Sequence, residues 1–141
     1  MSAMAAGRPS EEERKAPTVL VIEDEVGLLE IVALNLRASG YQVLTASDGL
    51  EGWRLFEEGA PDLVILDLQL PTISGFRLLE LFKGPSGRPE VPVLALTALD
   101  FAEAEDLADL GLEGFITKPF EPGELLAAVR DLLQRREKGE A

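Results

Sequence analysis

Leu63-Val-Ile-Leu-Asp-Leu-Gln-Leu-Pro-Thr-Ile-Ser-Gly75 opens on the most apolar run in the chain and breaks it with a carboxylate. A short, continuous apolar run rich in β-branched residues is what a strand covered on both faces of a parallel sheet requires. The run stops at Asp67. Pro71 and Gly75 then turn the chain, and Ser74 stands where it can cap a helix carrying Phe76, Leu79 and Phe82.

The same unit recurs on either side. Thr18-Val-Leu-Val-Ile22 is a first strand, and Gly27–Ser39 places Leu29, Val32 and Leu36 on one helical face before Gly40 ends the helix. Tyr41–Thr45 reads as the second strand. Asp48 with Glu51 has capping-box spacing, with Asp as the cap of the next helix. After the quoted stretch comes a Gly/Pro-rich loop, Gly84–Pro89, and then Val91–Leu96, the fourth strand, with Pro92 near its start where a missing N–H is tolerable. Asp100 and Glu103 repeat the cap spacing before a helix ending at Gly111. Gly114–Thr117 is a short fifth strand. Pro122 sits in the first turn of a last helix that aligns Leu125, Val129, Leu132 and Leu133. Trp53 reads as helix-face or core packing. Five strands alternating with five helices predict a parallel sheet with right-handed crossovers and helices on both faces.

Composition narrows the function. The chain has 141 residues, enough for one domain, and 46% are hydrophobic, enough for a core. Cysteine and histidine are both absent, which excludes disulfides, thiolate metal sites and imidazole chemistry on this chain. The apolar runs are too short to span a bilayer, and the N-terminus lacks a secretory pattern, so a cytoplasmic protein without a membrane partner is expected. Net charge is −13, with no basic stripe to displace counterions from phosphates, so no direct nucleic-acid partner is expected. Residues 1–17 are small, polar and charged and read as a disordered tail, 18–135 as the domain, and 136–141 as a charged tail.

Ligands of such sheets bind beyond the carboxyl ends of the strands. Glu23 and Asp24 follow the first strand, Asp67 the third, Thr97 the fourth and Lys118 the fifth; Glu25 falls beyond the rim. Each has an ordinary reading alone: a turn for Glu23 and Asp24, a helix cap for Asp67, a β-branched strand residue for Thr97, a solvated charge for Lys118. Together they offer three carboxylates, a hydroxyl and an ammonium at one end of one sheet. Crowded carboxylates raise the cost of ionising one another, and a hard divalent cation with oxygen ligands relieves that. Mg2+ keeps room for a phosphate oxygen, Thr97 and Lys118 suit the remaining phosphoryl oxygens, and a carboxylate can act as nucleophile to give an acyl phosphate.

Val19–Glu25, Leu63–Gly75, Leu96-Thr97-Ala98 and Thr117-Lys118-Pro119-Phe120 resemble, in order and spacing, the four signatures of response-regulator receiver domains. The likeness runs from about Thr18 to Arg135. It implies a flavodoxin-like, doubly wound five-stranded parallel sheet of order 2-1-3-4-5. It also implies roles. Asp67 would be the phosphorylated nucleophile. Asp24, Asp67 and the backbone carbonyl of Gln69 would bind Mg2+, with Glu23 acting partly through water. Lys118 would pair with the phosphoryl group across a cis Lys118–Pro119 bond. Thr97 would move to hydrogen-bond the phosphate, with Phe115 turning inward behind it; a core aromatic on strand five is the other reading of Phe115. Gln69 would lie near the path of an attacking water and tune the lifetime of the phosphate; a surface role is the other reading.

The chain departs from the family pattern at Glu23, where Asp is commoner, and at Phe115, where many relatives have tyrosine. Gly114 and Ala128 lack the acidic and basic residues that DNA-binding receivers use to dimerise, so a monomer or a weak phosphorylation-dependent dimer is expected. The implied partners are a sensor histidine kinase or histidine phosphotransfer protein as donor, and a downstream protein target. No conventional enzyme activity is expected. A haloacid-dehalogenase-type phosphatase would need a second acid where Gln69 stands, and a flavodoxin-like cofactor carrier would need a phosphate loop where this chain has acids. With Ala141 as its last residue the chain leaves no room for a winged helix, so a stand-alone receiver is expected.

Overall fold

The structure, a computed structural model, describes residues 16–98 and 111–137. Five strands, β1 (Thr18–Ile22), β2 (Gln42–Ala46), β3 (Leu63–Asp67), β4 (Val93–Thr97) and β5 (Gly114–Thr117), form one sheet. Four helices are seen among the described residues: α1 (Val26–Ala38), α2 (Gly49–Gly59), α3 (Gly75–Phe82) and α4 (Pro122–Glu137). The helix expected to start at Asp100 lies outside the described residues, as do most of the N-terminal tail and the last residues of the C-terminal tail. Among the described residues, no helix is long and apolar enough to cross a membrane.

The strand order is β2-β1-β3-β4-β5, and each neighbouring pair is parallel. This is the doubly wound order expected above. Side chains alternate across a strand, so the two faces build separate cores. Val19, Val21, Leu63, Ile65, Leu94, Leu96 and Ile116 face α1 and α4, meeting Leu29, Val32, Leu36, Leu125, Val129, Leu132 and Leu133. Leu20, Ile22, Val64, Leu66, Val93 and Ala95 face α3, and Trp53, Leu55 and Phe56 of α2 pack on the same side. Every residue of β3 and β4 is buried, as central strands covered on both faces demand.

Local chemistry sets the helix starts. Asp48 Oδ1 accepts the Glu51 N–H at 2.8 Å and Ser74 Oγ accepts the Arg77 N–H at 3.2 Å. Gly40 takes φ +99° after α1, a conformation that costs a side chain-bearing residue. One expectation about α3 is corrected. Phe76 is 40% exposed, and Leu78 takes its place in the core beside Leu79 and Phe82. Phe82 instead anchors an aromatic stack, 4.2 Å from Phe56 and 6.2 Å from Trp53 between ring centroids. β4 begins at Val93 rather than Val91. Pro92 is buried just outside it, and its carbonyl accepts the Val64 N–H at 3.0 Å.

At the amino end of the sheet, Asp62 Oδ2 accepts the Thr18 N–H at 2.8 Å. Its backbone carbonyl accepts Arg136 Nη1 at 2.6 Å, tying the last turn of α4 beneath β3.

Candidate functional site

Parallel pairing puts all carboxyl ends of the strands on one edge. The register aligns Ile22 with Leu66, Asp67 with Leu96 and Thr97 with Thr117. Glu23 and Asp24 therefore emerge beside Asp67, and Lys118 emerges beside Thr97. One carboxylate oxygen from each of Glu23, Asp24 and Asp67 lies within 4.8 Å of the others. Glu23, Asp67 and Thr97 are buried, and Asp24 is exposed at the rim. Glu25 is exposed, and only its backbone N–H turns in, donating to Glu23 Oε2 at 3.0 Å.

Lys118 closes the pocket. Its Nζ lies 2.8 Å from Glu23 Oε1 and 3.3 Å from Asp67 Oδ2. Its backbone N–H donates to the Thr97 carbonyl at 2.8 Å, which fixes where the side chain starts. The Lys118–Pro119 bond is cis. Burial disfavours the ammonium, but hydrogen bonding to Glu23 and the charges of Glu23 and Asp67 outweigh it, so the Lys118 pKa is raised. Glu23 is raised as well. Burial is the main cause and the Asp67 charge adds to it, while Lys118 and the Glu25 N–H pull the other way.

Gln69 makes two contacts that residue type and spacing do not announce. Its N–H donates to Asp67 Oδ1 at 2.9 Å, and its side-chain Oε1 accepts the Ala98 N–H at 3.3 Å. Phe115 is half-buried and packs with Leu112 against the α3 face of the sheet. Gly75 lies so close to β3 that a Cβ there would run into the Asp67 carbonyl and Leu68 Cα. The glycine therefore lets α3 start directly against the strand that ends in Asp67.

The donor set suits a hard divalent cation: three carboxylates converge, all ligands are oxygen, and one of the three is open to solvent. Lys118 supplies a single positive charge to this cluster, which leaves it net negative.

Residues 19–130 match the response regulator receiver domain family. The chain is 37% identical to the DNA-binding dual master transcriptional regulator RpaA of Synechocystis, over 86% of this chain and 51% of that protein. It resembles a putative response regulator from Chloroflexus aurantiacus with 33% identity and a TM-score of 0.78, covering 86% of this chain and all of the other. It also resembles the receiver domain of a sensor histidine kinase from Pseudomonas aeruginosa solved with a magnesium ion coordinated in its active-site cleft. There the identity is 26% and the TM-score 0.74, over 84% of this chain and 98% of that one.

These comparisons overturn the expectation that the chain has no nucleic-acid partner. The chain spans about half the length of the curated relatives it matches, which include a DNA-binding regulator and further transcriptional regulators. A net charge of −13 constrains the surface of these residues alone and says nothing of residues outside them. The fold, the four strand-end signatures and the match over residues 19–130 together show that this chain belongs to the response regulator receiver domain family.

Proposed function

We propose that the chain is a phosphorylation switch that accepts a phosphoryl group on Asp67 from the phosphohistidine of a partner protein. The observation that carries this reading is the placement of Lys118 Nζ 3.3 Å from Asp67 Oδ2, inside a cluster that also holds Glu23 and Asp24. A buried carboxylate with an ammonium against one oxygen has a ready partner for the charge of an incoming phosphoryl group. One Asp67 oxygen attacks phosphorus as the bond from phosphorus to the imidazole nitrogen breaks. That nitrogen keeps the electron pair, and the ring leaves neutral when its other nitrogen carries a proton. An acyl phosphate remains on Asp67. Turnover is confined to this acyl phosphate, which forms and is then hydrolysed.

Asp24, Asp67 and the Gln69 carbonyl would hold Mg2+, with Glu23 acting partly through water. Bound there, the ion supplies positive charge to phosphoryl oxygens and offsets repulsion among the carboxylates. Thr97 then donates its hydroxyl to the phosphoryl group, and Phe115 on the adjacent strand follows, passing the change along β4 and β5.

Incubation with acetyl phosphate and Mg2+, read by intact mass, tests the proposal. Wild type gains one phosphoryl group. Asp67→Asn gains none. Lys118→Ala is labelled, yet its amide NMR spectrum shows little change beyond the pocket. Labelling of Asp67→Asn to the wild-type level would rule out this acceptor.

A further inference from the structure

The backbone ladder between β3 and β4 stops at a defined point. Leu68 N donates to the Leu96 carbonyl at 3.0 Å. In continued parallel pairing the Leu68 carbonyl would next receive the Ala98 N–H. That carbonyl instead accepts from Gly75 N at 3.2 Å, because the chain turns there into α3. Gln69 fills the gap: its side-chain Oε1 accepts the Ala98 N–H at 3.3 Å, while its own N–H donates to Asp67 Oδ1 at 2.9 Å. One residue thus grips the Asp67 carboxylate through its backbone and the exit of β4 through its side chain.

The difference between a backbone rung and a side-chain rung is physical. A backbone rung breaks only if a strand moves. A side-chain rung breaks by a rotamer change, and Gln69 and Ala98 are both exposed, so water takes over the freed groups. Ala98 directly follows Thr97, whose carbonyl is held on the other side by Lys118 N at 2.8 Å. Of these two bonds, the one to Gln69 is therefore the more yielding.

We propose that Gln69 is a positioning residue of the phosphoryl site: a side-chain latch that holds the exit of β4 to the β3–α3 connection until Asp67 is phosphorylated. The proposal rests on the reading of Asp67 as acceptor. A phosphoryl group on Asp67 brings charged oxygens to the rim, which are stronger acceptors for the Thr97–Ala98 segment than a neutral amide oxygen. The segment moves toward them and the latch lets go. Removing the latch lowers the cost of that movement, so the unphosphorylated chain is better prepared for the reaction.

The test measures two quantities on the full chain. The first is hydrogen exchange at the Ala98 amide of the unmodified protein. Gln69→Ala and the shorter Gln69→Asn should speed it by roughly two- to tenfold, the span that one net intramolecular hydrogen bond corresponds to. Gln69→Glu, which keeps the reach and offers a charged acceptor, should exchange no faster than wild type. The second is the rate of labelling by acetyl phosphate with Mg2+, which should rise by a similar factor in the Ala and Asn variants. Unchanged Ala98 exchange in those variants overturns the latch, and so does faster exchange without faster labelling. Absence of labelling in wild type overturns the acceptor reading itself, and the switching role with it.

Discussion

Glu23 Oε1 and Lys118 Nζ lie 2.8 Å apart, closer than the 3.3 Å that separates Lys118 from Asp67. The lysine is thus held first by the acid that follows β1 and only second by the acid at the end of β3. Glu23 is fully buried, whereas Lys118 keeps partial contact with solvent. Removing the lysine strands a buried carboxylate, so Lys118→Ala should destabilise the metal-free chain by about 3 kcal/mol. The double variant Lys118→Ala/Glu23→Gln should recover most of that loss, because a neutral amide needs no counter-ion. Urea unfolding with a chelator present compares the two, and equal losses would remove the pair from the account of stability.

Mg2+ should stabilise the fold through the acidic cluster. At a concentration tenfold above its Kd, binding adds about 1.4 kcal/mol, or roughly 5 °C in the unfolding midpoint of a domain of this size. Asp24→Asn should have two effects of opposite sign. It should abolish most of the gain from Mg2+, and it should raise the midpoint of the metal-free chain slightly by removing a like charge from the cluster. Thermal scans with and without the ion measure both.

Gly75→Ala should be severe for a residue with so small a change. The new methyl group meets backbone, the Asp67 carbonyl and Leu68 Cα, which has no rotamer with which to yield. A loss of about 3 kcal/mol is expected. Because the strain falls on Asp67 itself, labelling by acetyl phosphate should drop even at temperatures where the variant remains folded. Circular dichroism alongside intact mass separates the two effects.

Phe82→Ala should cost about 3 kcal/mol, since Phe82 is 2% exposed and carries the aromatic stack that joins α2 to α3. Trp53 is the only tryptophan in the chain, so its emission reports on this site directly. A shift of that emission in the folded variant is expected, and an unchanged spectrum with unchanged stability would show the stack to be incidental.

The positions of Asp67, Thr97 and Lys118 are legible in the sequence because they depend on topology alone. Once strands are parallel, their carboxyl ends share an edge, and the residue after each apolar run lands there. The last helix is legible for a similar reason: its four buried positions follow one uninterrupted period. Phe76 is misjudged because α3 is only eight residues long and offers two competing apolar faces, and Leu78 wins the inward one. The Glu23–Lys118 contact depends on how far two flexible side chains reach across β1, β3, β4 and β5, which no spacing rule encodes. The Gln69–Ala98 bond is hidden for a different reason. It exists only because the Leu68 carbonyl is taken by Gly75, a consequence of the exact turn into α3.

The clasp between Asp62 and Arg136 sets a distance over which this molecule must work. Asp62 stands at one pole of β3 and Asp67 at the other, about 17 Å apart at the rise of an extended strand. The closing turn of α4 is moored at the pole remote from the acidic cluster. If Asp67 is modified as proposed, the change would have to cross the layers of Leu, Ile and Val that separate the two ends before it reached that mooring. In that reading the close packing of those layers sets how much of the change arrives.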